Sequence, residues 1–403
     1  MTNTLVTCTI VAKESLAILK NMLTYSAAVN RDWEDEFTSN MSRGYAPGAT
    51  INIKKPPRYV YRAGRVAVPQ ATVETTVPLS LSQGGCDINF TGLERTLSLT
   101  QLEQKIQAAI APVANEIDRQ GLQLAHFATF NTLNPTGVVP NTQALALAAV
   151  TGLNQRLDEM AAPRDKQRAL ISNPSLNANL IQGFAGLFNS SDIISKQFKS
   201  GMMVDSLGIA YAMDQNVDVH LNGAATATNI AGANQTGSSV TVVAVAGGTL
   251  TRGTVITLPG VFAVNPQSRQ STGTLANFVV TADVLLAATS IPISPAIVVS
   301  GPFQNVTASP TTGAPYIILG AANTSYNTNV AFHKDAFTLA MVPMFAPTGG
   351  RGVIDVSQQS SDGFTVKVTQ FYDGVNDNYI MRIDVLFGWA ATYPELSVKY
   401  YSV

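Results

Sequence analysis

The sequence has few charged side chains, and this shortage excludes several classes of protein. Only 13% of its 403 residues are Asp, Glu, Lys or Arg, against roughly 25% in an ordinary soluble domain. The 25 basic and 26 acidic side chains leave a net charge of −1, which gives no overall field to hold a phosphate backbone or an anionic membrane. With 46% hydrophobic residues, the chain is also too apolar to be intrinsically disordered.

Cysteines and long apolar runs are scarce as well. Cys8 and Cys86 are the two cysteines, too few for a disulfide framework, and neither has a Cys or His neighbour at metal-ligand spacing. The longest apolar run, 144–150, is far shorter than the roughly 20 residues that span a bilayer, and residues 1–10 lack the features of a secretory signal. We therefore expect a soluble product of a reducing cytoplasm.

The residues that carry enzymatic chemistry are also sparse. The three histidines, His126, His220 and His333, are isolated in the sequence, and no nucleotide loop, serine elbow or zinc-protease motif occurs. His333 and Asp335 could form a catalytic pair, but two residues apart they cannot share a helix face, so a structural histidine is favoured. We expect no catalytic residues, no cofactor and no metal site.

The amino-terminal region combines a helix with two blocks of opposite charge. Apolar residues recur at helical spacing over 13–28, which predicts an amphipathic helix. An acidic cluster follows, and then an extended segment with no acidic residue from 37 to 73. The acidic residues are Asp32, Glu34, Asp35 and Glu36, and the basic residues are Arg43, Lys54, Lys55, Arg58, Arg62 and Arg65.

Two interpretations of the basic segment differ in its partner. Tyr59 and Tyr61 alternate with Arg58 and Arg62, as in proteins that stack and neutralise single-stranded nucleic acid. Alternatively, the basic segment meets the acidic cluster of a neighbouring copy of the chain. We favour self-association, because the opposite charge lies just upstream in the same sequence, and we take both sets as candidate contacts between subunits.

The next segments predict strands and then long helices. Strict alternation over 73–81 predicts a strand, and Gly84-Gly85 is expected to turn the chain toward a second strand at 88–91. Thr100 and Glu103 form a capping box for a helix that ends near Ala111. Pro112 suits the first turn of a new helix, which we expect to extend to Phe130.

The middle of the chain predicts an α+β region, and the residues after it predict an all-β module. Helices are expected at 142–160 and 174–188, around a short strand at 169–172. Between Leu221 and Phe332 only three residues are charged, and short strand-like runs at 240–245, 255–258 and 278–281 alternate with turns. Helical and strand signals resume at 331–339, and strands are expected at 364–370 and 380–387. Because α+β regions flank the module on both sides, it is interpreted as an insertion into one host domain.

Four segments in the same order resemble major coat proteins of tailed double-stranded DNA bacteriophages. They are Glu14 to Arg31, Gly48 to Tyr59, Val330 to Met341, and Arg382 to Trp389 with Tyr393 to Leu396. They are similar to the short-tailed phage coat family of the P22 type, whose subunit has the Hong Kong 97 shell fold. The likeness runs from about residue 10 to 398, and Arg252 to Val261 and Asn265 to Gly273 carry it within the β module.

This resemblance implies a domain plan. It implies an α+β capsid fold of the Hong Kong 97 type with an inserted all-β barrel that supports subunit folding and contacts neighbouring capsomers. The implied parts are the amino-terminal arm (1–42), extended loop (43–92), peripheral domain with spine helix (93–130), apical domain (131–221), inserted barrel (222–332) and apical and peripheral return (333–403). Because the insertion carries so few charges, a salt-bridge role for it is not expected.

The same resemblance implies a major capsid protein that assembles into an icosahedral shell around double-stranded DNA. The expected partners are other copies in hexamers and pentamers, a scaffolding protein, a portal, and packaged DNA through weak non-specific contact. Assembly is expected in the host bacterial cytoplasm, with the protein ending in the virion and contacting no membrane. Two rivals stay open: an encapsulin-like compartment, against which the β module counts, and a β-rich surface adhesin, against which the central helices count.

Overall fold

The computed structural model describes residues 8–32, 50–91, 102–184, 206–345, 353–361, 363–376 and 378–403. Five helices lie in these ranges: α1 (Cys8–Met22), α2 (Tyr25–Ala28), α3 (Leu102–Ala128), α4 (Gln143–Glu159) and α5 (Pro174–Phe184). The strands are β1 (Thr50–Lys55), β2 (Thr75–Ser80), β3 (Ser82–Thr91), β4 (Thr132–Leu133), β5 (Arg168–Ser172), β6 (Ala210–Met213), β7 (Val219–Leu221), β8 (Gly237–Thr241), β9 (Val255–Val264), β10 (Ser271–Val280), β11 (Ser290–Ile297), β12 (Ile317–Ile318), β13 (Ser325–His333), β14 (Thr338–Met341), β15 (Val353–Ser361), β16 (Phe364–Asp373), β17 (Asn378–Ala390) and β18 (Ser397–Ser402). The fold is mixed α+β with several sheets, as expected.

The chain divides into two compact units. The first comprises Met1–Ile53, Thr76–Gly121 and Thr338–Ala390. Its main sheet has the order β14-β17-β16-β15, and β3 also pairs with β17. Helix α1 packs on β15 and β16 and buries Leu16 and Leu19. A small core of Ile51, Ile53 and Leu79 with Ala340 and Val342 lies beside this sheet.

The second unit comprises Lys54–Thr75, Leu122–Phe337 and Ala391–Val403. Its host sheet has the order β4-β18-β13-β5-β6, with β7 also paired to β13. Helices α4 and α5 supply a core of Val150, Leu153, Leu157, Leu176 and Leu180 with residues of the sheet. The Thr142 hydroxyl accepts a hydrogen bond from the Leu145 amide and caps α4. Helix α4 and strand β5 confirm the predicted helix at 142–160 and the predicted strand at 169–172.

The all-β module is inserted between two neighbouring strands of the host sheet. Leu221 at the end of β7 lies opposite Ser325 at the start of β13, and the Asn222 amide donates to the Thr324 carbonyl at 3.0 Å. The strands that lead into and out of the module are therefore neighbours. Between them lies a sheet of order β12-β9-β10-β11-β8, with a continuous apolar core that includes Phe278 and Tyr316. The five strands β8 to β12 pair in this open order, so the closed barrel that we expected is not seen in the strand pairing.

Two sequence predictions are wrong: a new helix that begins at Pro112, and a turn at Gly84-Gly85. One helix, α3, runs from Leu102 to Ala128 with Pro112 inside it, whereas the sequence predicted a new helix at Pro112. A proline inside a helix costs about 3 kcal/mol or more, but Ile106, Ile110, Val113 and Ile117 form one buried stripe across it. Burial of this stripe on both sides of the proline offsets the lost hydrogen bond.

Gly84 and Gly85 lie inside β3 and do not turn the chain. Strand β3 begins at Ser82, one residue after β2 ends at Ser80, and it continues through both glycines to Thr91. A Cβ atom on Gly85 would lie 2.3 Å from the Ile383 carbonyl oxygen of β17, so the glycine permits a close approach of two strands. The glycine pair therefore marks backbone proximity, and the sequence alone does not distinguish this from a turn.

Three smaller differences concern helices. The predicted helix at 13–28 is divided at Leu23–Thr24 into α1 and α2. The helical signal at 331–339 is a single 3-10 turn, Lys334–Ala336, between two strands. The predicted helix at 174–188 is seen as far as Phe184, and 185–188 lie outside the described residues. No helix in the described ranges is long and apolar enough to cross a membrane.

Candidate inter-subunit surface

The basic segment forms an irregular loop over 56–74 that follows strand β1. Pro56 and Pro57 come directly after β1 ends at Lys55, and prolines lack the amide that would continue a strand ladder. The Gln70 side chain accepts from the Val60 amide and donates to the Val60 carbonyl, which ties the two arms of the loop together. The loop thus has a defined course without regular secondary structure.

This loop exposes apolar and aromatic side chains to solvent. Tyr61 is 91% exposed and Val66 is 79% exposed. Others that are more than half exposed are Tyr59, Val68 and Val73. A contiguous stretch with this many exposed apolar groups is typical of a surface that meets another molecule.

The structure places the five basic candidates of this region in different settings. Lys54 forms an exposed ion pair with Glu74 at 3.2 Å. Arg58 pairs with Glu395 at 2.8 Å in a half-buried position. Arg62 donates to backbone carbonyls of its own loop, those of Gly64 and Val66. Arg65 is exposed and makes no ion pair within the described residues.

Lys55 differs from these because it is half-buried. Its ammonium lies 5.1 Å from the centroid of the Tyr393 ring, within the range of a cation–π contact. Burial lowers the pKa of Lys55, the nearby Arg58 lowers it further, and Glu395 opposes the change. Lys55, Arg58, Tyr393 and Glu395 all line one cavity of about 780 Å³ at the base of the loop.

The acidic candidates are seen in part. Asp32 is exposed, and its amide donates to the Asn30 side chain at 2.7 Å. Glu34, Asp35 and Glu36 lie outside the described residues, as does the basic candidate Arg43. The structure therefore brings together Lys55 and Arg58 of the predicted contact residues, and it does not test whether the two blocks meet between subunits.

A buried carboxylate that the sequence analysis missed anchors the amino-terminal arm. Asp118 of α3 is 2% exposed and accepts hydrogen bonds from the amides of Thr24 at 2.8 Å, Tyr25 at 3.3 Å and Ser26 at 3.0 Å. The Ser26 hydroxyl donates to the same carboxylate. One side chain thus satisfies the open amides at the start of α2, which has no side-chain cap of its own.

Aromatic packing beside Asp118 completes this anchor. Tyr25 stacks on Trp389 with ring centroids 5.2 Å apart, and the Trp389 indole donates to the Ile117 carbonyl at 3.1 Å. A Cβ atom on Gly121 would lie 2.5 Å from the Trp389 ring, so a glycine is needed there. A glycine three residues after an aspartate, inside an otherwise regular helix, is the sequence signal that could have identified this contact.

The three histidines are buried in the second unit, and two of them are neighbours. The rings of His126 and His220 have centroids 4.9 Å apart, although they are isolated in the sequence. Lys399, which is 0% exposed, lies beside them and donates to the His126 carbonyl at 3.1 Å. The sequence analysis missed this buried cluster because its members come from distant parts of the chain.

His333 has a structural setting, with one correction to the reasoning. It lies at the end of β13, and not on a helix as that reasoning assumed. Its Nδ1 atom accepts from the Asp335 amide and caps the following 3-10 turn, and its Nε2 atom lies 3.1 Å from Asp165. Among the described residues, no three His, Cys, Asp or Glu side chains are grouped so as to hold a metal ion.

Comparisons with known proteins give a family for most of the chain. A family model described as "P22 coat protein - gene protein 5" matches residues 81–400. A search of curated proteins gives no match.

Three solved structures illustrate what the chain is similar to. A structure from Mycobacterium phage Che8 has 12% identity and a TM-score of 0.49, covering 94% of this chain and 90% of that one. The mature capsid of bacteriophage PhiM1 has 8% identity and a TM-score of 0.42, covering 88% and 82%. A virus-like particle from Pyrococcus furiosus has 8% identity and a TM-score of 0.39, covering 97% of both chains.

The family match extends over 320 of the 403 residues, from the long strand β3 through the host sheet to β18. The chain therefore belongs to the P22 coat protein family, and it is a bacteriophage coat protein that forms the capsid shell.

Proposed function

We propose that this coat protein builds an icosahedral shell of the Hong Kong 97 type, from hexamers and pentamers, around double-stranded phage DNA. Assembly takes place in the host bacterial cytoplasm with a scaffolding protein and a portal. The packaged DNA is contacted weakly and without sequence specificity, since a net charge of −1 gives little attraction to phosphate. Self-association of copies of the chain is the central event.

The exposed loop at 56–74 is the observation that carries this proposal. It leaves Tyr61 and Val66 largely exposed, together with Arg65, which forms no ion pair with any residue that the structure describes. An isolated protein gains nothing from such a surface, whereas a subunit that meets a neighbour buries the apolar groups and pairs the charge. We propose that the neighbour's acidic cluster, Asp32 with Glu34, Asp35 and Glu36, is the partner of this surface.

Each contact of this kind is weak, and the shell is stable because the contacts are many. An exposed ion pair contributes about 0.2–1 kcal/mol. Each subunit engages several neighbours at once, so modest contacts sum to a stable particle while misplaced copies can still leave. Flexible arms around a rigid core suit a chain that occupies several slightly different environments.

We also propose the domain plan that the resemblance implies, with the insertion ending nearer residue 324 than 332. Pairing of Leu221 with Ser325 supports this limit, because β13 continues in the host sheet. A barrel form of the insertion is supported by residues 228–231. The Ile230 amide donates to the Ala314 carbonyl next to β12, and the Ala231 amide donates to the Thr241 carbonyl of β8. This short segment thus bridges the two edges of the open sheet.

We propose no catalytic role for the chain. The setting of His333 supports this, since both of its ring nitrogens contact side-chain or backbone groups of its own chain. His126 and His220 are 2% and 3% exposed, so neither can reach a substrate from solvent. Phosphoryl or acyl transfer would require accessible groups.

A charge exchange tests the proposed contact. Arg65→Glu is expected to raise the protein concentration needed for shell assembly at least tenfold, because it places like charges together in every copy of the contact. Adding Glu34→Lys and Glu36→Lys to the same chain is expected to restore assembly. Light scattering and electron microscopy of the assembly reaction measure both effects.

The matched control is Lys166→Glu, which makes the same change in net charge at an exposed site outside the loop. It is expected to assemble at the wild-type concentration. If Arg65→Glu assembles normally, or if the exchanged chain is no better than Arg65→Glu alone, the proposed pairing is wrong.

A further inference from the structure

Three elements of the second unit meet at one fully buried lysine. Lys399 of β18 donates from Nζ to the His126 carbonyl near the end of α3 at 3.1 Å. It also donates to the Gly253 carbonyl of the inserted module at 3.3 Å. A single ammonium group therefore holds the long helix, the host sheet and the insertion together.

Two histidines complete the same junction. His126 Nδ1 lies 2.7 Å from Asp218, and its buried Nε2 has no hydrogen-bond partner in the described structure. The Nε2 atom of His220 in β7 lies 3.2 Å from the hydroxyl oxygen of Thr254 in the insertion. A Cβ on Gly253 would lie 2.8 Å from His126 Nε2, so the insertion packs directly against this orphaned nitrogen.

Two basic and two acidic side chains border this junction. Arg252 is a cation whose guanidinium lies 4.1 Å from the Phe127 ring, next to His126. Burial lowers the pKa of Lys399 to about 7, so this group becomes a cation as the pH falls below that value. The Asp218 carboxylate contacts His126, and the Asp283 carboxylate accepts a hydrogen bond from the Arg252 amide at 2.6 Å. Tyr401 and Tyr326 are neutral and stack with centroids 4.9 Å apart, and burial raises the pKa of Tyr401 far above its usual range.

This setting keeps both imidazoles uncharged. Burial lowers the pKa of His126 to about 4, and Lys399 and Arg252 add to the effect against the opposing pull of Asp218. Burial likewise lowers the pKa of His220 to about 3, with His126 and Lys399 adding to it. An added proton would therefore place a buried positive charge near Lys399 and Arg252, with Asp218 as the carboxylate that contacts His126.

We propose that this junction is an acid-sensitive joint, which opens locally below neutral pH and releases the inserted module from the host sheet and the end of α3. When the joint opens, water reaches both imidazoles and they bind protons with ordinary affinity. The open form then binds protons that the closed form does not bind, so a lower pH favours opening. This is a means of regulation beyond the shell-forming function, and it does not depend on which residues pair between subunits.

The expected size of the response follows from the two histidines. Between pH 7 and pH 5, the open fraction rises roughly twentyfold for each imidazole, and by at least about a hundredfold for both. Lys399 adds about a factor of two over this range, because it is already half protonated near pH 7. The response is therefore a property of the histidines.

Hydrogen exchange of the full-length, unassembled protein tests the proposal. After correction for intrinsic exchange rates, peptides from 122–130, 219–223 and 250–256 are expected to lose protection at least a hundredfold between pH 7 and pH 5. Peptides from β16 and β17 of the first unit are expected to keep theirs. Unchanged protection at the junction, or an equal loss everywhere, would overturn the proposal.

Histidine variants distinguish opening of this junction from a general loss of stability in acid. The double variant His126→Gln/His220→Gln is expected to flatten the pH response, while His333→Gln, a buried histidine away from the joint, is expected to retain it. A double variant that keeps the full response contradicts the proposal.

If the double variant fails to fold, NMR of the unmodified protein tests the proposal. The chain has three histidines, so ring-labelled histidine gives three NMR signals. Two are expected to stay in the neutral form in the closed protein down to about pH 5, with a second set of protonated signals growing as the joint opens. Smooth titration of these two signals near pH 6.5, with the junction still closed, would overturn the proposal.

Discussion

Replacement of Asp118 by alanine is expected to lower the free energy of unfolding by about 3–5 kcal/mol, because a hydrogen bond to a charged group contributes about 1.5–3 kcal/mol and this carboxylate accepts several. The substitution leaves the amides of Thr24, Tyr25 and Ser26 without their acceptor. Each unsatisfied buried amide costs about 1–3 kcal/mol, reduced where water can enter. The amino-terminal arm is therefore expected to detach from α3.

Urea unfolding of the full-length protein, followed by tryptophan fluorescence, measures this loss. Trp389 stacks on Tyr25 and is one of two tryptophans in the chain, so part of the emission comes from the anchor. The matched control is Glu116→Ala on the same helix, where the side chain is 45% exposed and pairs with Arg119. That change is expected to cost less than about 0.5 kcal/mol. Equal effects of the two substitutions would show that Asp118 has no special role.

Replacement of Lys399 by methionine is expected to change how stability depends on pH. Burial lowers the pKa of Lys399 to about 7, against about 10.4 for an exposed lysine. Between these two values the unfolded chain carries a proton that the folded chain lacks. The wild-type protein therefore gains stability as the pH rises through this window, by about 1.4 kcal/mol per pH unit.

The methionine variant lacks this titrating group, so its unfolding free energy rises with pH less steeply, by about 1.4 kcal/mol per pH unit. From pH 7 to pH 10 the difference in unfolding free energy between the two proteins is expected to shift by about 3.5 kcal/mol in favour of the wild type. Urea unfolding at four pH values in this range measures the shift, and effects of other titrating groups cancel in the difference. Parallel pH profiles would mean that Lys399 has an ordinary pKa in the folded protein.

Local patterns predicted the elements that local interactions decide. The helix at 142–160, the strand at 169–172 and the switch to short strands after His220 all left periodic or compositional signals. Pro112 and Gly84-Gly85 were misinterpreted because their local preference was overruled by distant partners. In the first case this was a continuous buried stripe, and in the second it was the backbone of β17.

The candidate surface was predicted in composition and not in detail. The loop is basic and exposed, as the sequence indicated, but the pairing of Arg58 with Glu395 joins residues 337 positions apart. Asp118 and the junction of His126, His220 and Lys399 were missed for the same reason. Single residues that meet only in the folded chain leave no spacing pattern in the sequence.

The central claim is that copies of this chain close into a shell. Electron microscopy of the full-length protein, produced alone and together with the scaffolding protein of the same phage, tests it most directly. We predict uniform closed particles when the scaffolding protein is present. A chain that stays monomeric in both cases would contradict the account.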